Sequence, residues 1–161
     1  MDAAPKRPAW QRAAVKIAST RPGGWFYVNV APFIDRFLLR VSGGRVSSAF
    51  IFPVVLVETI GAKSGQIRRT PLVATRDGDR IIVIASRGGD TRHPGWYYNL
   101  RANPEVTAWF HGGEARYRAV QAEGPERERL WRLAADSYPG YDVYASRAGR
   151  QIPVMVLEPL R

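Results

Sequence analysis

The residues best suited to chemistry in this chain lie on either side of a predicted β-hairpin, in two polar loops. The first loop, residues 61–71, carries cations and hydroxyls: Lys63, Ser64, Arg68, Arg69 and Thr70. The second loop, residues 85–89, contains two glycines and leads into several rings: His93, Trp96, Tyr97 and Tyr98. Cations and hydroxyls bind phosphate, and aromatic rings can wall a planar ligand. Together the loops predict a cofactor cradle, although the first loop alone fits a solvated turn with surface arginines better.

The sequence lacks the residues that several other kinds of functional site require. The chain has no cysteine, which removes thiol nucleophiles, disulfides and thiolate metal sites. Its two histidines, His93 and His111, have no acidic pair at ligand spacing, so no metal site is predicted. Residues 61–64 lack the glycine that precedes the lysine of a phosphate-binding P-loop. The sequence also has no Gly-x-Ser-x-Gly elbow, which disfavours a hydrolase.

The charge balance indicates an anionic partner. The chain has 161 residues, with 24 Lys and Arg against 14 Asp and Glu, and a net charge of +10. Nucleic acid, anionic lipid and a polyanionic small molecule all fit this balance, and the charges outside the two loops also fit a role in solubility. The basic residues form no continuous run, so nucleic acid is the least favoured partner and none is expected. No segment resembles a membrane span or a secretory signal, which predicts a cytoplasmic protein.

Hydrophobic periodicity predicts both helices and strands. Helices are predicted at residues 10–19, 32–41, 96–102 and 124–136. Strands are predicted at residues 54–60, 70–76, 80–86, 105–111, 114–122 and 152–158. The Asp77-Gly78 step between the second and third strands is a strong turn signal. Residues 138–148 are expected to form a short connecting segment.

Six strands joined by hairpins predict an α+β protein, mainly β with flanking helices, whose strands form a closed or partly closed antiparallel barrel. At this length we expect a single domain over residues 1–161, with an N-terminal helical segment at 1–45 and the barrel at 46–161. The amphipathic helix at 32–41 fits a cover over the core better than a membrane-surface helix. The aromatic residues Trp25, Phe26 and Tyr27 strengthen the membrane alternative.

The motifs between residues 54 and 159 resemble those of the deazaflavin (F420)-dependent nitroreductase family of flavin-reductase-like split β-barrels. The similar motifs are Thr59-x-Gly61-x-Lys63-Ser64-Gly65, Arg68-x-Thr70-Pro71-Leu72, Ala85-Ser86-x-Gly88-Gly89, Pro94-x-Trp96-Tyr97-x-Asn99-Leu100, Asn103-Pro104, Tyr138-Pro139-x-Tyr141 and Ile152-Pro153-Val154. The sequence departs from the family at Arg87 and at Ile67. The resemblance implies a six-stranded antiparallel split β-barrel that binds coenzyme F420 and passes hydride from its reduced form, F420H2, to an organic acceptor.

The resemblance also implies roles for individual residues. The implied cofactor site comprises Ala62, Lys63, Ser64, Arg68, Arg69, Thr70, Pro71, Leu72, Val73, Ile84, Ala85, Ser86, Arg87, Gly88, Gly89, Gly95, Trp96, Tyr97, Tyr98, Asn99 and Tyr141. The implied catalytic hydroxyls are those of Ser86, Tyr138, Tyr141 and Tyr144, with Ser86 and Tyr138 favoured as proton donors. The three tyrosines recur at three-residue spacing, so a helical turn would place them on one face. They fit a role as caps of the barrel equally well.

These roles predict an F420H2-dependent reductase of quinones with incidental activity on nitroaromatics. A basic, aromatic N-terminal segment would give weak, peripheral contact with the inner face of the membrane, where quinones dissolve. Two alternatives stay open. One is a carrier or storage protein that binds F420 without turnover, and the other is an oxidoreductase of the same barrel type that uses FMN or haem breakdown products. The sequence predicts no oligomeric state.

Overall fold

The computed structural model describes residues 53–160, which form six strands, three α-helices and one 3₁₀ turn. The strands are β1 (Val54–Ile60), β2 (Ile67–Asp77), β3 (Arg80–Ile84), β4 (Glu105–Phe110), β5 (Gly113–Gln121) and β6 (Val154–Pro159). The helices are α1 (Gly95–Ala102), α2 (Gly124–Ser137) and α3 (Gly140–Ala148), and the 3₁₀ turn is Arg87–Gly89. The helices predicted at 10–19 and 32–41, and the whole N-terminal segment 1–45, lie outside the described residues.

The six strands close into an antiparallel barrel in the order β1-β2-β3-β6-β5-β4. Tight connections join β1 to β2, β2 to β3 and β4 to β5, and the β2–β3 hairpin pairs Asp77 with Arg80 across the predicted turn. The C-terminal strand β6 lies between β3 and β5. Pairing of β1 with β4, which places Leu56 opposite Trp109, completes the ring. The predicted antiparallel barrel with flanking helices is therefore confirmed.

Strand β3 shows how the sequence builds a core on both sides of the barrel wall. Ile81 and Val83 belong to a buried cluster with residues from all six strands, which fills the barrel interior. Ile82 and Ile84 belong to a second cluster, together with Leu130 of α2. Successive side chains of a strand point to opposite faces, so an unbroken apolar run is buried on both. The helices α2 and α3 therefore cover one outer face of the barrel.

The predicted start of the second strand is wrong. Strand β2 begins at Ile67 and not at residue 70, so Arg68 and Arg69 lie on a strand and not in a loop. Thr59 pairs with Arg68, and Ile60 pairs with Ile67, so the hairpin continues up to a short loop at residues 61–66. The first residues of β2 are all exposed, and this removes the alternation of polar and apolar residues that normally indicates a strand.

Helix α3 (Gly140–Ala148) occupies most of the segment 138–148, in agreement with the helical turn that the spacing of its three tyrosines predicted. Pro139 precedes its first residue, and proline at a helix start is a signal that the sequence analysis did not use. Strand β3 ends at Ile84, so Ser86 follows the strand and does not end it. The other predicted elements in the described range agree to within two residues. None of the helices in residues 53–160 has the length and apolar character needed to cross a lipid bilayer.

Candidate functional site

A pocket of about 1090 Å³ opens between the β1–β2 hairpin, the chain that precedes α1, and α1 itself. The predicted cofactor residues that line it are Ala62, Lys63, Ser64, Arg68, Thr70, Arg87, Gly95, Trp96, Tyr98 and Asn99. Five other lining residues were not predicted from the sequence: Gly61, Arg92, His93, Arg101 and Ala102. Arg101 and Ala102 lie three and four positions after Tyr98 on α1, and this helical spacing is the signal that would have found them.

The loop at residues 61–66 is held in one shape by backbone and side-chain bonds. Gly61 N–H donates to Gln66 O at 2.8 Å, and Gly65 N–H donates to Gly61 O at 2.8 Å. A Cβ at Gly61 would lie 2.5 Å from Ser64 Oγ and 3.3 Å from Gln66 O, so any other residue there would displace the Ser64 hydroxyl. The loop therefore presents its side chains on a fixed backbone.

Asn99 of α1 connects this loop to the helix by hydrogen bonds. Its side chain is buried, its Oδ1 accepts a hydrogen bond from Ala62 N–H at 3.0 Å, and its Nδ2 donates to Thr59 Oγ1 at 3.1 Å. The resemblance implied that Asn99 bonds the cofactor, and in the structure its amide bonds the loop beside the pocket. Asn99 thus fixes the position of the loop that carries Lys63.

The charged residues that line the pocket are all positive. Five cations line it, and none of the lining residues is acidic: the cations are Lys63, Arg68, Arg87, Arg92 and Arg101. Arg87 Nε lies 3.3 Å from Asp90 Oδ2, and Arg92 Nε lies 3.9 Å from Asp90 Oδ1. Within residues 53–160, Lys63, Arg68 and Arg101 have no carboxylate at ion-pair distance. A pocket with unneutralised cations favours an anionic ligand.

Asp90 shapes the chain between β3 and α1. Its Oδ1 accepts a hydrogen bond from Arg92 N–H at 2.8 Å. This bond, reinforced by the charges of Arg87 and Arg92, lowers the pKa of the Asp90 carboxyl from its ordinary value. Asp90 is therefore ionised at neutral pH and holds two of the pocket arginines near one another.

His93 lines the pocket without adding charge to it. Its ring centroid lies 4.6 Å from that of Tyr97, and its Nδ1 is buried with no hydrogen-bond partner in the described part of the chain. Burial, together with the charges of Arg150 and Arg101, lowers the pKa of His93, so the imidazole is neutral at pH 7. Tyr97 itself is buried and donates its hydroxyl to Gln121 Oε1 at 2.8 Å.

The remaining predicted cofactor residues do not line the pocket: Arg69, Pro71, Leu72, Val73, Ile84, Ala85, Ser86, Gly88, Gly89, Tyr97 and Tyr141. Arg69 lies on the outer face of β2, where its Nε is 2.7 Å from Glu58 Oε2 and its guanidinium lies over the ring of Trp109. Leu72 and Val73 pack against the two core clusters, and Pro71 lies opposite Leu56 on β1. Ile84, Ala85 and Ser86 are buried at the end of β3.

Gly89 brings the 3₁₀ turn against α3. Its φ is +86°, and a Cβ at this position would lie 3.1 Å from Tyr144 O and 3.2 Å from Arg147 Cβ. Gly89 N–H donates to Ser86 O at 3.0 Å. The glycine therefore permits close contact between the turn and the helix, and the chain that carries Arg87 adjoins the helix that carries Tyr144.

The three predicted catalytic tyrosines form one buried group between the barrel and the helices α2 and α3. The hydroxyl oxygens of Tyr138 and Tyr144 lie 2.8 Å apart, within hydrogen-bond distance. The ring of Tyr141 meets that of Tyr138 edge-on, with 5.0 Å between centroids. Burial raises the pKa of the Tyr141 phenol, so it stays protonated at neutral pH. The structure brings these tyrosines together, and none of them lines the pocket.

The sequence matches a described protein family, and the fold matches solved structures. Residues 34–159 match the family of F420H(2)-dependent quinone reductases. The F420H(2)-dependent quinone reductase Rv1261c of Mycobacterium tuberculosis is 44% identical over 110 residues, which cover 65% of this chain and 72% of that protein. The family resemblance that the motif order predicted is therefore confirmed.

Two solved structures support the same assignment. The F420-H2 dependent reductase FDR-A is 41% identical, with a TM-score of 0.62 over 66% of this chain and 94% of the other. A protein described as a domain-swapped dimer is 35% identical, with a TM-score of 0.63 over 78% of this chain and 97% of the other. This chain belongs to the F420H(2)-dependent quinone reductase family.

Proposed function

We propose that this protein is an oxidoreductase that transfers hydride from F420H2 to a quinone. The observation that carries the proposal is the pocket beside the β1–β2 hairpin, which is lined by five cations and by no acidic residue. Membership of the F420H(2)-dependent quinone reductase family supplies the cofactor and the class of acceptor.

The pocket fits F420 in charge and in size. The phosphate and glutamyl carboxylates of this cofactor need cations, and Lys63 and Arg68 would hold them by charge-assisted hydrogen bonds. The volume of about 1090 Å³ lies just above the range of roughly 300–1,000 Å³ that is usual for pockets that bind small molecules, as a cofactor with a long tail requires. Trp96 and Tyr98 on α1 would provide aromatic surface for the planar ring.

Bound F420H2 supplies the hydride from a carbon of its ring. The protein has to hold the ring and the acceptor close together and exclude water from between them. Negative charge develops on a quinone oxygen during transfer, and a hydroxyl placed there both stabilises the charge and donates a proton. The family resemblance assigns this role to Ser86 and Tyr138, which are buried outside the pocket lining, so the acceptor would bind beyond the cations that hold the cofactor. The contact between the two hydroxyls allows Tyr144 to replace a proton lost by Tyr138.

The proposal is tested by mixing the purified protein with F420H2 and menadione and following oxidation of the cofactor by absorbance. We expect oxidation well above a protein-free control, with saturation in both substrates. If the protein binds F420 and the oxidation rate stays at the control level, the protein is a carrier and not a reductase. If F420 does not bind at all, the assignment of the pocket is wrong.

The proton-donor role is tested with Tyr138→Phe, which removes one hydroxyl oxygen and keeps the ring. We expect kcat to fall by about tenfold or more while the affinity for F420 stays unchanged. Tyr117→Phe is the matched control, because Tyr117 is a buried tyrosine of the barrel interior. Equal kcat values for the two variants would remove Tyr138 from the mechanism.

We further propose that nitroaromatics are incidental acceptors, and that the protein is cytoplasmic with weak contact at the inner face of the membrane. Quinones dissolve in lipid, and a net charge of +10 favours an anionic lipid surface. Sedimentation with vesicles tests the second part. More protein should sediment with vesicles rich in anionic lipid than with neutral vesicles, and equal recovery would contradict the proposal. A nitroaromatic in place of menadione tests the first part, and we expect slower turnover.

A further inference from the structure

Arg150 links the end of α3 to the segment of residues 85–93. It follows Gly149, whose left-handed backbone (φ 61°) ends α3. Its guanidinium donates to four backbone oxygens of the segment: Nε to Asp90 O at 3.1 Å, and Nη2 to Ala85 O at 3.2 Å, to Arg92 O at 3.1 Å and to Ser86 O at 3.5 Å. A further bond joins Nη1 to Gln151 O at 3.4 Å. Arg150 itself does not line the pocket.

The segment 85–93 has few other attachments. Ala85 N–H donates to Pro153 O at 3.0 Å, which fixes the beginning of the segment next to β6. Beyond Ala85 the backbone bonds are local, as in the 3.0 Å bond from Gly89 N–H to Ser86 O. Within residues 53–160, Arg150 is the one side chain outside the segment that binds its carbonyl oxygens. The shape of the segment therefore depends on this guanidinium together with the packing of Gly89 against α3.

The bonds to Arg150 also fix the direction of the peptide groups. In a trans peptide the N–H points opposite to the C=O of the preceding residue, and the described residues contain no cis peptide. The oxygens of Ser86 and Arg92 face Arg150, so the N–H groups of Arg87 and His93 point away from it. Arg87 and His93 both line the pocket.

A simple ion pair does not explain the placement of Arg150. The nearby carboxylate of Asp90 accepts the N–H of Arg92 and lies 3.3 Å from Arg87 Nε, whereas Arg150 bonds the backbone oxygen of Asp90. The fork of an arginine offers several donors in one plane, and it can bridge carbonyls that a single lysine nitrogen cannot. The geometry thus uses the shape of the guanidinium as well as its charge.

We propose that Arg150 is a positioning residue for F420 binding, which holds the segment 85–93 so that Arg87 and Arg92 face the cofactor. The proposal rests on the proposed function, because it takes F420 as the ligand of the pocket. Arg150 acts through the segment and makes no contact with the cofactor. Its loss therefore weakens binding by loosening the segment.

The test compares Arg150→Lys and Arg150→Met with Arg132→Met. Arg132 is an exposed arginine on α2, with 77% of its side chain accessible, so its variant controls for the loss of one charge. Affinity is measured by calorimetric titration with oxidised F420, and kcat and KM are measured with F420H2 and menadione. We expect Arg150→Lys to bind F420 about tenfold more weakly and to raise KM for F420H2 with little change in kcat. Arg132→Met should behave as the wild type.

Hydrogen exchange of the cofactor-free variants provides a readout that does not depend on turnover. In Arg150→Lys the amides of residues 86–93 should exchange faster, while those of β3 and β6 keep their protection. An F420 affinity of Arg150→Lys within twofold of the wild type would overturn the proposal. Faster exchange throughout the barrel would overturn it too, because Arg150 would then stabilise the whole fold. A wild-type protein that fails to bind F420 would instead refute the proposed function.

Discussion

Two groups of cationic residues in this protein differ in how many carboxylates surround them. Between the β2–β3 turn and α2, Arg129 Nη2 lies 2.7 Å from Asp77 Oδ2, and Arg129 Nε lies 2.8 Å from Glu126 Oε2. Arg80 binds the same two carboxylates. In the pocket, the lining includes five cations and no carboxylate. We call the first group the hairpin network and the second the pocket cations.

The comparison shows that the excess positive charge is not spread evenly. In the hairpin network each arginine forms ion pairs with carboxylates, and these pairs join the β2–β3 turn to α2. Among the pocket cations, Arg87 and Arg92 share the single carboxylate of Asp90, and the other three have no carboxylate partner within residues 53–160. Matched charges therefore stabilise the fold, and unmatched charges attract the ligand. Four changes test this division.

The largest effect is expected from reversing a pocket charge. Lys63→Glu places a carboxylate beside the anionic groups of F420, and we expect affinity to fall by about a hundredfold, because like charges repel strongly at a binding site. The melting temperature should stay unchanged, since Lys63 is exposed. Calorimetric titration and thermal melting measure the two quantities. Arg132→Glu makes the same change in net charge away from the pocket, and an equal loss of affinity there would show that only the total charge matters.

Removing the Asn99 side chain, which holds the loop that carries Lys63, should reduce both the unfolding free energy of the protein and its affinity for F420. Asn99→Ala leaves the N–H of Ala62 without its acceptor, which costs about 2 kcal/mol of unfolding free energy. The loop at 61–66 then loses its link to α1, and we expect F420 to bind about tenfold more weakly. Urea unfolding and titration with F420 give the two values. Asn103→Ala is the control, since Asn103 makes one longer bond of 3.3 Å to Ile60 O. Unchanged affinity in Asn99→Ala would show that the loop needs no anchor.

A change in the hairpin network should show the reverse pattern. Arg129→Met removes bonds to Asp77 and Glu126, and we expect a small loss of unfolding free energy, because exposed ion pairs are screened by water. The affinity for F420 should stay within twofold of the wild type. Urea unfolding at neutral pH measures the loss of unfolding free energy. An affinity loss as large as that of Lys63→Glu would contradict the division between the two groups.

The smallest effect is the pH dependence of that stability difference. Hydrogen bonds from Arg129 are the main cause that lowers the pKa of Asp77 from 3.8 to about 2 and that of Glu126 from 4.5 to about 2. A carboxyl with a lowered folded-state pKa stabilises the protein above its unfolded-state pKa, and this contribution disappears as the pH falls through the folded-state value. The difference between wild type and Arg129→Met should therefore shrink from pH 4.5 to pH 2. A difference that stays constant over this range would exclude the carboxylates as its source.

The sequence was sufficient to predict the barrel because local signals and the tertiary structure agree. The turn at Asp77-Gly78 and the apolar run of β3 identified the central hairpin without further information. Most of the pocket followed from the family motifs. Arg101 was missed because the predicted site on this helix ended at Asn99 and was not extended along the helix from Tyr98 by its three-residue spacing.

Other features depended on contacts between distant parts of the chain. Arg150 lies far in sequence from Asp90, and nothing local indicates that its guanidinium meets backbone oxygens. The hydroxyl pair of Tyr138 and Tyr144 depends on how α3 packs after Pro139, which the sequence analysis treated as a connection. Asn99 was assigned to the cofactor through the family resemblance, and its bonds to Thr59 and Ala62 appear only once the hairpin and α1 are brought together.

The tight fit of Gly89 against α3 restricts how the acceptor range of this enzyme can be engineered. A side chain at position 89 would collide with the helix backbone at Tyr144, and the positive φ adds strain for any other residue. In the proposed site, displacing α3 to admit a bulkier quinone would also displace the turn that carries Arg87, so we expect a gain in acceptor size to carry a loss of cofactor affinity. Libraries that seek new acceptors should keep position 89 as glycine and vary the side chains of α3 without shifting its axis.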